Sequence, residues 1–114
     1  MSAPDVVLDR YLECHARNDL DGVLAQFAEN AVLEDPVGDA ARTGTDEIRA
    51  FYRETHRRNG PLSIERVGPV LVRGREVAVH VRAGFLEPPG SPTMDVIYTG
   101  EVDDGRFVRL RAFY

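Results

Sequence analysis

Three residues in this chain have types and neighbours suited to acid–base chemistry. Asp35 closes an apolar stretch, Ala31-Val32-Leu33-Glu34, and precedes Pro36. Tyr11 falls on the apolar stripe of an N-terminal segment, and Tyr98 ends Met94-Asp95-Val96-Ile97-Tyr98. A carboxylate facing an apolar cavity is desolvated, which raises its pKa toward the range useful to a general base. A tyrosine beside it supplies a phenol O–H to a developing oxyanion. Without a cavity the same residues have ordinary uses. Tyr11 at helical spacing also fits a core position, and Asp35 before proline also fits a strand-ending turn.

The elements that would position these residues are helices first and strands afterwards. Pro4 suits a first helical turn, and Ser2 with Asp5 three residues later has the form of a capping box. Leu8, Tyr11, Leu12 and His15 follow at helical spacing. Asn18-Asp19 breaks this helix, and Leu20, Val23, Leu24 and Phe27 form a second apolar stripe that Asn30 ends. Ala31–Asp35 reads as a short strand, because Pro36 biases Asp35 away from the helical region. A third helix is expected from Thr45 as N-cap, with Asp46 and Glu47 in its first turn and Ile48, Phe51 and Tyr52 inward. Four β segments follow, at about 62–72, 76–86, 93–102 and 107–113, with Arg73-Gly74-Arg75 and Asp103-Asp104-Gly105 as hairpin signals. Val77, Val79 and Val81 alternate with Ala78, His80 and Arg82, as a sheet with one buried face requires. The expected class is α+β: three N-terminal helices packed on one face of a curved, mostly antiparallel sheet. Such a cone has an open end able to hold a small apolar ligand. Asp95, three residues before Tyr98, should face the opposite side of its strand.

Composition narrows the partners. The chain has 114 residues, which suits one domain over 1–114, and 43% are hydrophobic, enough for a real core. A net charge of −5 without a clustered basic face argues against nucleic acid. No apolar run approaches the ~20 residues of a membrane helix, and no secretory leader pattern is visible at the N-terminus. Cys14 is the single cysteine, for which a reducing cytoplasm is the simplest compartment. Its neighbour His15 points about 100° away around the helix, the wrong geometry for a nucleophilic dyad. The three histidines lie far apart and form no metal-ligand cluster, and no glycine-rich phosphate loop is present. No cofactor is expected. His15 reads as an interior or rim histidine, and His56 as part of a solvated helix end. His80 fits either a cavity-lining or a solvent-facing position.

Longer stretches resemble one family. Arg10-Tyr11-Leu12, Asn18-Asp19-Leu20-Asp21-Gly22-Val23 and Phe27-Ala28-Glu29-Asn30-Ala31-Val32-Leu33-Glu34-Asp35-Pro36-Val37-Gly38 are similar to the N-terminal half of bacterial ketosteroid isomerases. Gly44-Thr45-Asp46-Glu47-Ile48-Arg49-Ala50-Phe51-Tyr52-Arg53, Met94-Asp95-Val96-Ile97 and Arg109-Leu110-Arg111-Ala112-Phe113-Tyr114 continue the likeness. The wider superfamily resembling nuclear transport factor 2 and the SnoaL cyclases shares several of these segments. The resemblance implies a cone-shaped α+β barrel, a homodimer, and cofactor-free conversion of 3-oxo-Δ5 steroids to conjugated Δ4 enones. In that family, itself a standard example of pKa tuning, an Asp base works beside an oxyanion hole of Tyr and a protonated Asp. By position, Asp35 matches the base and Tyr11 the oxyanion tyrosine. Tyr98 stands where the family carries its second Asp; a phenol there is protonated at neutral pH without help, its ordinary pKa being ~10. Phe51, Tyr52, His80, Val96 and Tyr114 are the expected substrate-lining residues. The alternatives are a SnoaL-like cyclase or hydrolase on another small apolar substrate, and a ligand-binding module without turnover.

Overall fold

The computed structural model describes residues 2–114. Helix α1 spans Pro4–Ala16, with Pro4 in the first turn and Asp5 favourably placed near the positive helix end. Val7, Leu8, Tyr11, Leu12, Cys14 and His15 form its buried face. The expected capping box does not form: Ala3 is the N-cap, and the Ser2 hydroxyl instead accepts from Arg10 Nη1 at 2.9 Å.

Asn18 takes φ +59°, a left-handed conformation that asparagine tolerates, and its Nδ2 donates to the His56 carbonyl at 2.9 Å. Asp19 then caps α2, Leu20–Leu24, by accepting from the Gly22 N–H at 3.0 Å. The second apolar stripe is not one helix. Phe27 already opens strand β1, Phe27–Glu34, which runs through Asn30. Helices this short have little stability of their own. Pairing decides instead, as Phe107 N–H donates to Gln26 O at 2.7 Å and Phe27 lies beside Phe107.

Strand β2 is Arg42–Thr43, and α3 follows over Thr45–Asn59. Its N-cap is Gly44, not Thr45. Gly44 has φ +87°, which only glycine adopts freely, and Glu47 accepts from the Thr43 N–H at 3.0 Å. The remaining strands are β3 (Leu62–Arg66), β4 (Leu71–Arg73), β5 (Glu76–Phe85), β6 (Thr93–Asp103) and β7 (Arg106–Phe113). The expected 62–72 strand is split around Gly68-Pro69. Its two halves pair separately, β3 with Val81–Phe85 and β4 with Glu76–Ala78.

The strands run in the order β2-β1-β7-β6-β5-β3, with β4 also on β5. All pairs are antiparallel except β1 with β7. The fold is α+β, a curved, unclosed sheet holding the N-terminal helices on its concave face. Val77, Val79 and Val81 of β5, and Val96, Tyr98 and Val102 of β6, face the helices. They pack with Leu8, Tyr11, Ile48, Tyr52, Phe107 and Leu110 into one core. Gly100 is required by this packing, since a Cβ there would lie 2.8 Å from the Phe107 ring. Among the described residues no helix is long and apolar enough to cross a membrane.

Candidate functional site

Between α3, the β1–β2 connection and the near ends of β5 and β6 lies a cavity of about 1000 Å³. Asp35 forms part of its wall. The residue directly follows β1, where it continues the inward alternation of Ala31 and Leu33 ahead of Pro36, and it is only 7% exposed. Its Oδ1 accepts from the Tyr114 hydroxyl at 2.5 Å. Among the described residues no cation forms an ion pair with it. Burial pushes the Asp35 pKa above the ordinary carboxylate value, and Asp39 adds to this, while the Tyr114 hydrogen bond and the charge of Arg42 oppose it. The result is a carboxylate that is desolvated yet held in one orientation by a phenol.

Three tyrosines stand behind and beside it. Tyr98 lies on the cavity wall, its phenol pushed above the ordinary pKa by burial and by the nearby Asp35 charge. It is therefore a protonated donor at neutral pH. Tyr11 and Tyr52 are fully buried, their hydroxyls 2.7 Å apart, and neither lines the cavity. Tyr98 packs perpendicular to the Tyr11 ring, with centroids 5.6 Å apart. The nearby Tyr11 hydroxyl opposes the rise in the Tyr98 pKa only in part. Bulk at position 98 thus places one phenol in front of another. Of these phenols it is that of Tyr98 that lines the cavity, with the Tyr11–Tyr52 pair in the layer beneath.

Phe51, Val96 and Tyr114 line the cavity as the sequence suggests, while Tyr52 does not reach it. His80 is a correction. It lies on the outer face of β5, where its Nε2 meets Asp95 Oδ1 at 2.8 Å, and Arg82 joins the same carboxylate at 3.4 Å. The alternation that buries Val79 and Val81 sends His80 outward. Asp95 faces away from Tyr98, as its three-residue offset requires.

Sequence reasoning overlooked the polar rim. Arg42, Glu47, Glu54 and Arg58 all border the cavity, from β2 and α3. Arg42 lies over the Phe51 ring at 4.5 Å. His15, expected as an interior or rim histidine, also lines the cavity.

A family model for the SnoaL-like domain matches residues 8–110. This chain belongs to the SnoaL-like domain family. The domain is also similar to a protein named Steroid Delta-isomerase from Nocardioides simplex. The two are 30% identical over 117 aligned positions, which span 92% of this chain and 84% of the relative. Among solved structures, the domain superposes on the epoxide hydrolase/cyclase-like enzyme SalBIII, described in pyran ring formation in the polyether salinomycin. The TM-score is 0.82 at 23% identity, with 96% of this chain and 88% of that one covered. At that identity the likeness establishes a shared fold. The unclosed sheet and N-terminal helices of this SnoaL-like domain are the common frame.

Proposed function

We propose that this SnoaL-like domain is a cofactor-independent isomerase of an apolar, enolisable ketone, with a 3-oxo-Δ5 steroid as the leading substrate. The observation that carries this reading is Asp35, a buried carboxylate with no ion-pair partner among the described residues, on the wall of a cavity of about 1000 Å³. Burying an unpaired carboxylate is costly, and a mere binding pocket for an apolar ligand has no use for one. The volume lies at the upper end of the usual range for small-molecule sites. The 30% identity to a Steroid Delta-isomerase supports the substrate class.

In the proposed reaction Asp35 takes a proton from the carbon between the ketone and the isolated double bond. The electron pair moves onto the ketone oxygen, which becomes a dienolate and accepts a hydrogen bond from the Tyr98 O–H. Asp35, now protonated, returns the proton to the far carbon of the dienolate, and the conjugated enone leaves. Tyr114 holds the carboxylate in place through both transfers. Tyr98 does with a phenol what the family's second Asp does with a carboxylic acid, and it needs no raised carboxyl pKa to stay protonated.

The polar rim favours a second reading. Arg42 acts electrostatically on Asp35, and Asp39 lies within reach of the same field. An acid–base cyclase or hydrolase on another small substrate would use such a set. We also propose that the domain pairs with a second copy through the outer sheet face, where Ile97 and Phe113 are cross-strand neighbours and both exposed. The cytoplasm is the proposed compartment, since the lone buried thiol of Cys14 calls for no oxidising environment.

The test is isomerisation of 5-androstene-3,17-dione, followed by absorbance of the conjugated enone, with Asp35→Asn alongside. Turnover in the wild type and a loss of about 10²–10⁴ in the variant supports the isomerase. Folded wild type without turnover overturns it. Binding of a phenolic steroid without turnover would then indicate a binding module, and no binding the cyclase or hydrolase reading.

A further inference from the structure

Asp35 and Tyr98 do not account for all of the buried polar wall. His15 lies on α1 one turn beyond Tyr11, its ring stacked on the Tyr11 ring with centroids 5.5 Å apart and planes at 19°. It borders the cavity. Its Nδ1 lies 3.1 Å from Nε2 of His56, which reaches in from α3. Both rings are buried. The remaining nitrogens differ. His56 Nδ1 is sealed in the protein without a partner. His15 Nε2 makes no hydrogen bond among the described residues and is not among the sealed atoms, and His15 is a cavity-lining residue.

This geometry selects one arrangement of protons. Of the two facing nitrogens, one donates and the other accepts. If His15 Nδ1 donated, a neutral His56 would carry its proton on the sealed Nδ1 and leave a buried N–H without an acceptor. Orphaned buried N–H groups are rarer than under-used acceptors. In the reverse arrangement His56 Nε2–H donates to His15 Nδ1. The sealed nitrogen is then only an unused lone pair, and the His15 proton sits on Nε2. Burial and the neighbouring His56 push the His15 pKa down to about 4, which keeps the ring neutral at pH 7.

We propose that His15, oriented by His56, presents a neutral Nε2–H to the cavity as a fixed hydrogen-bond donor, and that the ligand carries a second acceptor oxygen, keto or hydroxyl, to meet it. The two donors are separate stations. His15 stacks on the Tyr11 ring at 5.5 Å and Tyr98 meets the same ring edge-on at 5.6 Å, so the imidazole and the phenol approach from different faces and each brings its own polar atom. A neutral donor favours a carbonyl or hydroxyl over a carboxylate or phosphate, which would gain more from a cation.

Protein labelled with 15N in its histidine rings gives the test by long-range proton–nitrogen spectra at pH 7. His15 is expected as the Nε2–H tautomer. Adding estrone should shift the His15 Nε2 signal, and 17-deoxyestrone should shift it far less. His15→Phe should weaken estrone roughly three- to tenfold and leave 17-deoxyestrone unchanged. A Nδ1–H tautomer, an imidazolium, or equal losses for both probes overturns the proposal, the last because it marks a packing role. The steroid arm rests on the isomerase reading. If neither probe binds the wild type, that reading fails for steroids, and the tautomer alone, read on the unaltered protein, decides for or against the donor.

Discussion

Exchanging two hydroxyls separates the cavity wall from the layer behind it. Tyr98→Phe removes one oxygen from the wall and leaves the ring packed 5.6 Å from Tyr11, so the fold should hold. Under the proposed mechanism the dienolate loses its donor in a water-poor site, and kcat should fall by about 10²–10³, equivalent to about 2.7–4 kcal/mol of transition-state stabilisation. Tyr11→Phe acts elsewhere. It breaks a bond of 2.7 Å between two fully buried hydroxyls and leaves the Tyr52 O–H without its partner. An unsatisfied buried hydroxyl costs about 1–3 kcal/mol of stability. Its effect on turnover passes through Tyr98, which keeps its own proton, and should stay within about tenfold. Each variant needs two measurements: enone formation under saturating 5-androstene-3,17-dione, and chemical denaturation. Tyr98→Phe should be slow and stable, Tyr11→Phe active and less stable. The opposite pattern, with Tyr11→Phe losing 10² or more while Tyr98→Phe turns over normally, would refute the layering and make Tyr11 the direct donor.

Other consequences are equally measurable. Burial holds the Asp35 pKa above its ordinary 3.8, so ionising it costs stability as pH climbs from the ordinary value through the raised one. Asp35→Asn should therefore melt higher than wild type at neutral pH, and the gain should vanish on acidification to roughly pH 4; a constant difference across that range would mean that the carboxylate is not desolvated. Gly100→Ala should destabilise by about 1–3 kcal/mol in denaturant, because the new methyl meets the buried Phe107 ring; an unchanged midpoint would show that the ring can give way. Ile97→Lys should convert a dimer to a monomer in sedimentation while leaving the fold intact, and a monomeric wild type would remove the proposed sheet-face pairing.

The α1 stripe and the β5 and β6 alternation were legible because each is a periodicity imposed by local backbone geometry and a single buried face. Leu8, Tyr11, Leu12 and His15 had to share a side of one helix. Val77, Val79 and Val81 had to oppose His80 and Arg82, but the alternation alone left open whether the face of His80 looked to a cavity or to solvent. Asp35 at a strand end before proline was equally local, and the likeness to a known family supplied the reason to single it out. Helix ends were less legible. Ser2 and Thr45 have the right chemistry for caps, yet Ala3 and Gly44 take those places, because the chain's entry path and not the side-chain type decides which N–H groups are left open.

What only the tertiary structure decided were the contacts between residues far apart in the chain. Phe27 belongs to a strand because Phe107 lies beside it in a parallel pair that local sequence does not signal. Tyr114 reaches Asp35 across 79 positions, and His15 meets His56 across 41. Tyr98 covers Tyr11 because β6 and α1 meet at that level of the core. Side-chain periodicity says which face of an element is buried. Which groups share the buried space depends on how the faces are laid together, and that arrangement sets one aspartate, one phenol and one imidazole around the same cavity.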